Sequence, residues 1–145
     1  MSNEKSEAAF GQCLCGAIKY RVQKIQPRMG HCHCNMCRKF HGAAFATYGV
    51  VKVKDFTWLS GSEHLRTYVG DNGTHRQFCD VCGSSLIFKS ANDRGENIEF
   101  ALGTLDTEIT QKPDAHIFRN YAASWYQLSD DLPQFGEYRS STDDG

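Results

Sequence analysis

The stretch His31-Cys32-His33-Cys34-Asn35-Met36-Cys37 places three thiols and two imidazoles within a few consecutive residues. A hydrophobic core has no need of such a run. Sulfur ligands at spacings of two and three residues instead suit a thiophilic metal with tetrahedral coordination, zinc above all. The stretch therefore predicts a metal site around which the chain is organised. Whether the chain supplies a fourth ligand decides between a closed structural site and one that stays open for chemistry.

The other cysteines also lie in close pairs, Cys13-x-Cys15 and Cys79-x-x-Cys82. A complete set of disulfides would leave one of the seven thiols over, and buried free cysteines would be scattered rather than paired. The two pairs together predict a closed four-cysteine zinc site with a structural role. Gly11 and Gly16 flank the first pair and Gly83 follows the second, and glycines suit the tight turns of such knuckles. A redox-active dithiol at Cys79 and Cys82 is the alternative for the second pair.

Cys32, Cys34 and Cys37 are then left without a fourth cysteine, which predicts a second ion with one position free or held by water. Either His31 or His41 could close this site. Otherwise these imidazoles would lie beside the metal as hydrogen-bonding groups, or simply be exposed.

The basic pair Arg38-Lys39 directly follows the cysteines. Beside an anionic metal centre these side chains could lower thiol pKa values or hold a carboxylate of a substrate, whereas on most surfaces they would only be solvated. His33 lies between two ligands and is expected to point away from the metal. The remaining histidines are expected to be packing or surface residues: His64, His75 and His116.

The length of 145 residues is that of one domain, and the formal net charge of −1 gives no drive toward nucleic acid or anionic lipid. No run of apolar residues is long enough to span a membrane, and the polar N-terminus lacks the apolar segment of a secretory signal. We therefore expect a cytoplasmic protein with no nucleic-acid or membrane partner. In that compartment thiols stay reduced.

Short alternating runs bounded by turn residues predict a mainly β domain of short antiparallel strands with zinc knuckles. We expect a disordered leader over 1–9, the domain over 10–138 and a polar tail over 139–145. A hairpin is expected at Gly70-Asp71-Asn72-Gly73, and one helical turn over 35–40. Trp125, Leu132 and Phe135 are expected to pack the C-terminal segment onto the domain. Strands are expected at 17–22, 43–53, 56–59, 65–69, 74–78, 85–89, 98–102 and 115–118.

Three segments of the chain resemble the glutathione-dependent formaldehyde-activating enzyme family, also called the centromere-protein-V/GFA domain. These are Gly11-Gln12-Cys13-Leu14-Cys15-Gly16-Ala17-Ile18, Cys32-His33-Cys34-Asn35-Met36-Cys37-Arg38-Lys39 and Arg76-Gln77-Phe78-Cys79-Asp80-Val81-Cys82-Gly83-Ser84. Later landmarks of the family are also resembled by Gly103-Thr104-Leu105-Asp106, His116-Ile117-Phe118 and Asp131-Leu132-Pro133-Gln134-Phe135. The resemblance thus runs from about residue 10 to 138 and includes all seven cysteines. It implies a β-tent fold with two zinc ions per chain, one structural and one reactive, divided between the cysteines as the spacing predicts.

The resemblance also implies an activity, the condensation of formaldehyde with glutathione to S-hydroxymethylglutathione, which is that of a carbon–sulfur lyase. The partners would then be a glutathione-like thiol and a small aldehyde. Arg38 or Lys39 could anchor a carboxylate of the thiol, and His31 or His41 could move the proton. The alternative is a zinc-binding module without turnover, whose second cysteine cluster is a redox-sensitive partner surface and is partly occupied or oxidised.

Overall fold

A computed structural model describes residues 7–139 of the chain, and these residues form a mainly β structure. The mainly β fold expected from the sequence is confirmed. The strands and the α-helix are β1 (Ala9–Gln12), β2 (Lys19–Val22), β3 (Gly30–Cys32), α1 (Asn35–His41), β4 (Ala46–Lys52), β5 (Phe56–Ser60), β6 (Leu65–Val69), β7 (His75–Cys79), β8 (Ser85–Lys89), β9 (Asn97–Ala101) and β10 (Ala115–Ile117). Short 3₁₀ turns are formed by Val53–Asp55, Ser62–His64, Leu102–Thr104 and Arg119–Tyr121.

Two compact units can be told apart, and each consists of two separate segments of the chain. Within the described residues the first unit contains 7–26 and 49–111, and the second contains 27–48 and 112–139. The domain expected over 10–138 thus divides into two units of discontinuous sequence.

The two expected ends lie mostly outside the described residues, which leave out 1–6 and 140–145. Inside the segment expected to be a leader, Ala9 is buried and opens β1. At the other end, Arg139 forms an ion pair with Asp114.

The first unit contains a small antiparallel sheet in the order β1-β2-β5 and a longer antiparallel run in the order β9-β8-β7-β6. The expected hairpin joins β6 to β7, where the N–H of Gly70 donates to the carbonyl of Thr74. Tyr20 and Phe100 are fully buried, and the ring of Tyr20 stacks on Phe56 with centroids 5.2 Å apart. These large apolar side chains give the first unit its core.

The second unit is organised around β3, which has a strand on each side. β3 pairs antiparallel with the start of β4, so that His31 faces Thr47, and parallel with β10, so that His31 also faces His116. This parallel pair departs from the antiparallel pairing expected from the sequence. A parallel neighbour needs a long crossover, and more than 80 residues separate His33 from His116.

Two strands were not expected from the sequence, β1 and β3. Both are short, and their few apolar residues are mixed with glycine, histidine and cysteine, so neither shows a clear period of two. The expected packing of Trp125 was wrong, because 69% of this residue is exposed. Its neighbour Tyr126 instead makes an edge contact with Phe45, with ring centroids 5.9 Å apart.

Candidate metal centres

The first unit brings Cys13, Cys15, Cys79 and Cys82 together in one group whose sulfur atoms all lie within 4.8 Å of one another. The Sγ atom of Cys15 is 3.7 Å from that of Cys13 and 4.0 Å from that of Cys79. A tetrahedral ion with zinc–sulfur bonds of about 2.3 Å needs sulfurs about 3.8 Å apart. The four thiols could therefore hold one metal ion with no further ligand.

Each cysteine pair lies on a tight turn directly after a strand. After β1, the N–H of Gly16 donates to the carbonyl of Cys13, and Gly16 has a φ of 83°. After β7, the N–H of Gly83 donates to the carbonyl of Cys79, and Gly83 has a φ of 84°. Glycine adopts this left-handed backbone without steric cost, and the turn brings both thiols of each pair to one side.

Backbone N–H groups point at the sulfur atoms, as expected for metal-binding knuckles. The N–H of Ile18 lies 3.3 Å from Cys13 Sγ, and the N–H of Val81 lies 3.4 Å from Cys79 Sγ. Burial alone would raise the pKa of Cys82, but hydrogen bonds from the hydroxyl and backbone of Ser84 lower this pKa to about 6. Part of the group is therefore already set to be thiolate near neutral pH, which is the form that binds a metal.

The second unit brings Cys32, Cys34 and Cys37 together, again with all sulfur atoms within 4.8 Å of one another. Cys32 ends β3, and Cys34 is the N-cap of α1, where its Sγ accepts a hydrogen bond from the N–H of Cys37 at 3.2 Å. Cys32 and Cys37 are buried, and Cys34 is half-buried. Over residues 7–139 this group includes no fourth cysteine, histidine or carboxylate.

The chemistry of these three thiols fits a cation. The neighbouring thiols of Cys34 and Cys37, followed by burial, raise the pKa of Cys32 far above its usual range. Three thiolates cannot share so small a volume without a positive charge between them, because like charges at this distance repel strongly. A divalent ion bound by the three sulfurs would remove that repulsion and leave a coordination position for another ligand.

Neither histidine weighed as a fourth ligand belongs to this sulfur group. Nδ1 of His31 lies 2.7 Å from the hydroxyl of Thr47. Nε2 of His41 lies 3.0 Å from the hydroxyl of Tyr48, and that hydroxyl is 3.8 Å from Cys37 Sγ. His41 is thus connected to the cluster through the phenol of Tyr48, and no local sequence pattern indicates this connection.

The basic pair lies on α1. Arg38 donates from Nη2 to Oδ1 of Asn35 at 2.6 Å, while Lys39 is exposed. The helix ends at Gly42, whose φ is 61° and whose N–H donates to the carbonyl of Arg38. Cationic side chains in the last turn are favourable at the negative end of the helix dipole.

Three residues that sequence reasoning left out of the site form a hydrogen-bonded chain beside it. Nε2 of His33 lies 2.9 Å from Nδ1 of His116, and Nε2 of His116 lies 3.0 Å from a carboxylate oxygen of Asp130. Both rings are almost completely buried. Burial, followed by the positive charges facing the ring, lowers the pKa of His33 to about 4. The other two histidines lie elsewhere: His64 contacts Asp80, and His75 is exposed on β7.

Among residues 7–139 we find no helix with the length and apolar character needed to cross a membrane.

Comparisons with known proteins give one family. The sequence profile of the glutathione-dependent formaldehyde-activating enzyme family matches residues 8–121. An uncharacterized lyase of Schizosaccharomyces pombe is 28% identical over 122 residues, covering 76% of this chain and 85% of that protein. The crystal structure of a Rhodobacter sphaeroides protein, a structural genomics target, superposes with a TM-score of 0.58 at 22% identity and covers 69% of this chain and 90% of that one. The last likeness supports the fold, and because the family profile spans most of the sequence, the chain belongs to the glutathione-dependent formaldehyde-activating enzyme family.

Proposed function

We propose that the protein is a zinc-dependent carbon–sulfur lyase that joins glutathione, or a similar thiol, to formaldehyde or another small carbonyl. The observation that carries the proposal is the group of Cys32, Cys34 and Cys37, which has three sulfur ligands and no fourth within the described chain. Membership of the family and the lyase name of the S. pombe relative support the reaction class.

We propose two zinc ions per chain with different roles. The four-cysteine group has a complete tetrahedral ligand set, so its ion would be structural. The three-cysteine group would hold the reactive ion, and zinc bound there supplies a Lewis acid that keeps a thiol ligand ionised at neutral pH. Free thiols of this kind persist in the reducing cytoplasm, where we place the protein.

The reaction needs a proton to move from the thiol to the carbonyl oxygen. The thiol sulfur forms a bond to the carbonyl carbon, the carbon–oxygen π bond breaks, and the oxygen takes the proton and becomes a hydroxyl. Nε2 of His41 and the hydroxyl of Tyr48 are hydrogen-bonded beside Cys37, and we propose that they hold and return this proton. His31 is the weaker candidate, because Nδ1 is already bonded to a hydroxyl and the ring stacks on His116.

Glutathione carries carboxylates, and cations near the three-cysteine group would bind them. Lys39 is exposed on α1, one helix position away from Arg38, whose guanidinium is already tied to Asn35. We therefore propose Lys39 as the main carboxylate anchor and Arg38 as a supporting one.

The proposal is tested by zinc content and exchange kinetics measured on the same samples. Zinc per chain is determined for the native protein, for Cys37→Ser and for Met36→Ser, a control on the exposed side of the same helix. NMR exchange spectroscopy then gives the rate of adduct formation in a mixture of formaldehyde and glutathione. We expect Cys37→Ser to lose one of two zinc ions and the rate enhancement, and Met36→Ser to retain both.

A fully zinc-loaded native protein that leaves the exchange rate unchanged would overturn the proposal for this pair of substrates. That result would favour the alternative, a zinc-binding module whose three-cysteine group is a redox-sensitive surface. Oxidation would then form a disulfide between two of the three thiols and release the ion.

A further inference from the structure

The chain Asp130···His116···His33 has a direction that follows from the hydrogen-bonding capacity of its members. A carboxylate only accepts, so Nε2 of His116, at 3.0 Å from Asp130, must carry a proton. When His116 is a neutral imidazole, its other nitrogen is a bare acceptor, and Nε2 of His33, at 2.9 Å from that nitrogen, donates to it. With both rings neutral, the chain of hydrogen bonds therefore holds each of them as the tautomer protonated at Nε2.

Backbone contacts hold the two ends of this chain in place. One carboxylate oxygen of Asp130 accepts from the N–H of Leu132 at 3.1 Å. The backbone N–H of His33 donates to the carbonyl of Ile117 at 3.0 Å, next to His116 in β10. His33 is thus tied to the same strand by both its side chain and its backbone.

Ring packing adds to this restraint. The ring of Phe45 lies 4.7 Å from that of His31, 4.8 Å from that of His33 and 5.7 Å from that of His116, between centroids. The rings of His31 and His116 are stacked with centroids 4.7 Å apart. His116 is therefore surrounded by aromatic rings and has no exposed surface.

We propose that His116 and Asp130 are positioning residues for the three-cysteine group. His33 lies between Cys32 and Cys34 in sequence, so fixing its ring and backbone fixes the separation of the two flanking thiols. The three-residue strand β3 alone gives little such restraint. Groups that orient metal ligands from outside the ligand set change metal affinity by about 10–100-fold. This inference rests on the proposed function only in that the group binds zinc.

The first test is the tautomer of His33, read from two-bond ¹H–¹⁵N NMR correlation spectra of the zinc-loaded protein. We expect both His33 and His116 to be protonated at Nε2. In Asp130→Asn the oxygen that accepts from Leu132 can stay, and the new amide NH₂ then faces Nε2 of His116. Both rings should switch to the Nδ1–H tautomer, as happens when an orienting aspartate is replaced by asparagine in a serine-protease triad.

The matched control is Asp131→Asn, which makes the same chemical change at the exposed neighbouring position. It should leave both tautomers unchanged. If Asp130→Asn also leaves the His33 signals at their native positions, the proposed chain of orientation is wrong.

The second test is the affinity for zinc, measured by competition with a chromogenic chelator. His116→Phe keeps an aromatic ring but removes both hydrogen bonds, and we expect it to raise the Kd of the more weakly held zinc by about 10–100-fold. Asp130→Asn should raise this Kd by about tenfold, and Asp131→Asn should not change it. The zinc of the four-cysteine group should keep its native affinity in every variant.

The outcomes separate this inference from the proposed function. If the native protein binds only one zinc, the proposed function fails and the inference fails with it. If the native protein binds two and His116→Phe binds both with native affinity, only the positioning role fails. Equal weakening of both sites would show a general loss of structure and would also overturn it. Should His116→Phe fail to fold, Asp130→Asn against Asp131→Asn decides alone.

Discussion

The two cysteine groups differ in how much of the chain each one closes. Cys15 and Cys79 are 64 positions apart, so an ion in the four-cysteine group closes a long loop of the first unit. Cys32, Cys34 and Cys37 all fall within six consecutive residues of the second unit. Closing a long loop removes much more unfolded-state entropy than closing a short one. Metal binding at the first group should therefore support folding, while the second group is left free for chemistry.

The two cysteine groups also differ in the polar groups that surround them. Backbone N–H groups and the hydroxyl of Ser84 contact the sulfurs of the four-cysteine group, which contains no histidine within the described chain. The three-cysteine group lies next to the phenol of Tyr48 and to a buried histidine chain. The cluster with an incomplete ligand set thus has a phenol and a histidine hydrogen-bonded beside it, groups that can hold and return a proton.

Cys79→Ser should have the largest effect, because it removes a fully buried thiol of the four-cysteine group, which we propose as a zinc ligand. We expect the free energy of unfolding to fall by more than about 5 kcal/mol, since zinc binding to a structural site contributes on the order of 10 kcal/mol to folding. Thermal unfolding followed by circular dichroism measures this loss. Cys37→Ser is the matched change in the other group and should unfold cooperatively near the native temperature. Equal losses in the two variants would contradict the division of roles.

Gly61→Ala should cause the second-largest loss of stability. Gly61 has a φ of 77°, and a Cβ atom there would collide with the carbonyl oxygen of Ala17. The backbone of the first unit would have to move, and we expect a loss of about 3 kcal/mol or more in the free energy of unfolding. Gly42→Ala in the second unit is the control, because its φ is 61° but nothing lies within 4 Å of the added atom. Its loss should be about 1 kcal/mol.

Urea titrations of both variants give the two losses. If Gly42→Ala lowers the free energy of unfolding as much as Gly61→Ala does, the collision with Ala17 is not the cause of the loss at Gly61.

Glu99 in the first unit should make the free energy of unfolding depend on pH. Burial, followed by the charge of Asp93, raises the pKa of Glu99 to about 7. The folded state then binds a proton more tightly than the unfolded state, so stability is full below the ordinary carboxyl pKa and falls as pH rises to about 7. We expect Glu99→Gln to remove a loss of about 2–3 kcal/mol between pH 4.5 and 7.

Urea titrations at several pH values measure this difference, and Glu96→Gln is the control at a nearby exposed position. Parallel pH curves for native protein and Glu99→Gln would show that Glu99 ionises normally in the folded protein.

The division of the cysteines was predictable from the sequence because ligand spacing is a local property. Two cysteines that are two or three positions apart need a tight turn to bring their sulfur atoms together, and the neighbouring glycines allow that turn. The helix after Cys34 and most of the strands were predictable for the same reason, since each has its own periodicity and turn residues.

The histidine chain was not predictable, because it depends on the parallel pairing of β3 with β10. Each of these strands has three residues, and no periodic pattern of that length links segments more than 80 positions apart. The bridge from His41 through Tyr48 to Cys37 was missed for a related reason. Nothing in the local sequence distinguishes Tyr48 from an ordinary core aromatic residue, and only the fold reveals where its hydroxyl lies.

Tyr48→Phe should have the smallest effect on stability and a selective effect on activity. The change removes a buried hydroxyl that contacts His41 and Cys37, which costs about 1 kcal/mol of unfolding free energy. If this hydroxyl handles the proton of the reaction, the enhancement of formaldehyde–glutathione exchange should fall by about 100-fold while both zinc ions stay bound.

Tyr20→Phe in the first unit is the matched control, because its buried hydroxyl makes a comparable bond of 2.6 Å to Thr104. We expect a similar loss of stability there with no change in the exchange rate. The pair separates the contribution of a buried phenol to folding from its contribution to chemistry. A Tyr48→Phe variant with the native exchange rate would show that the hydroxyl of Tyr48 does not handle the proton. The three thiols of the second unit would then have to account for any rate enhancement.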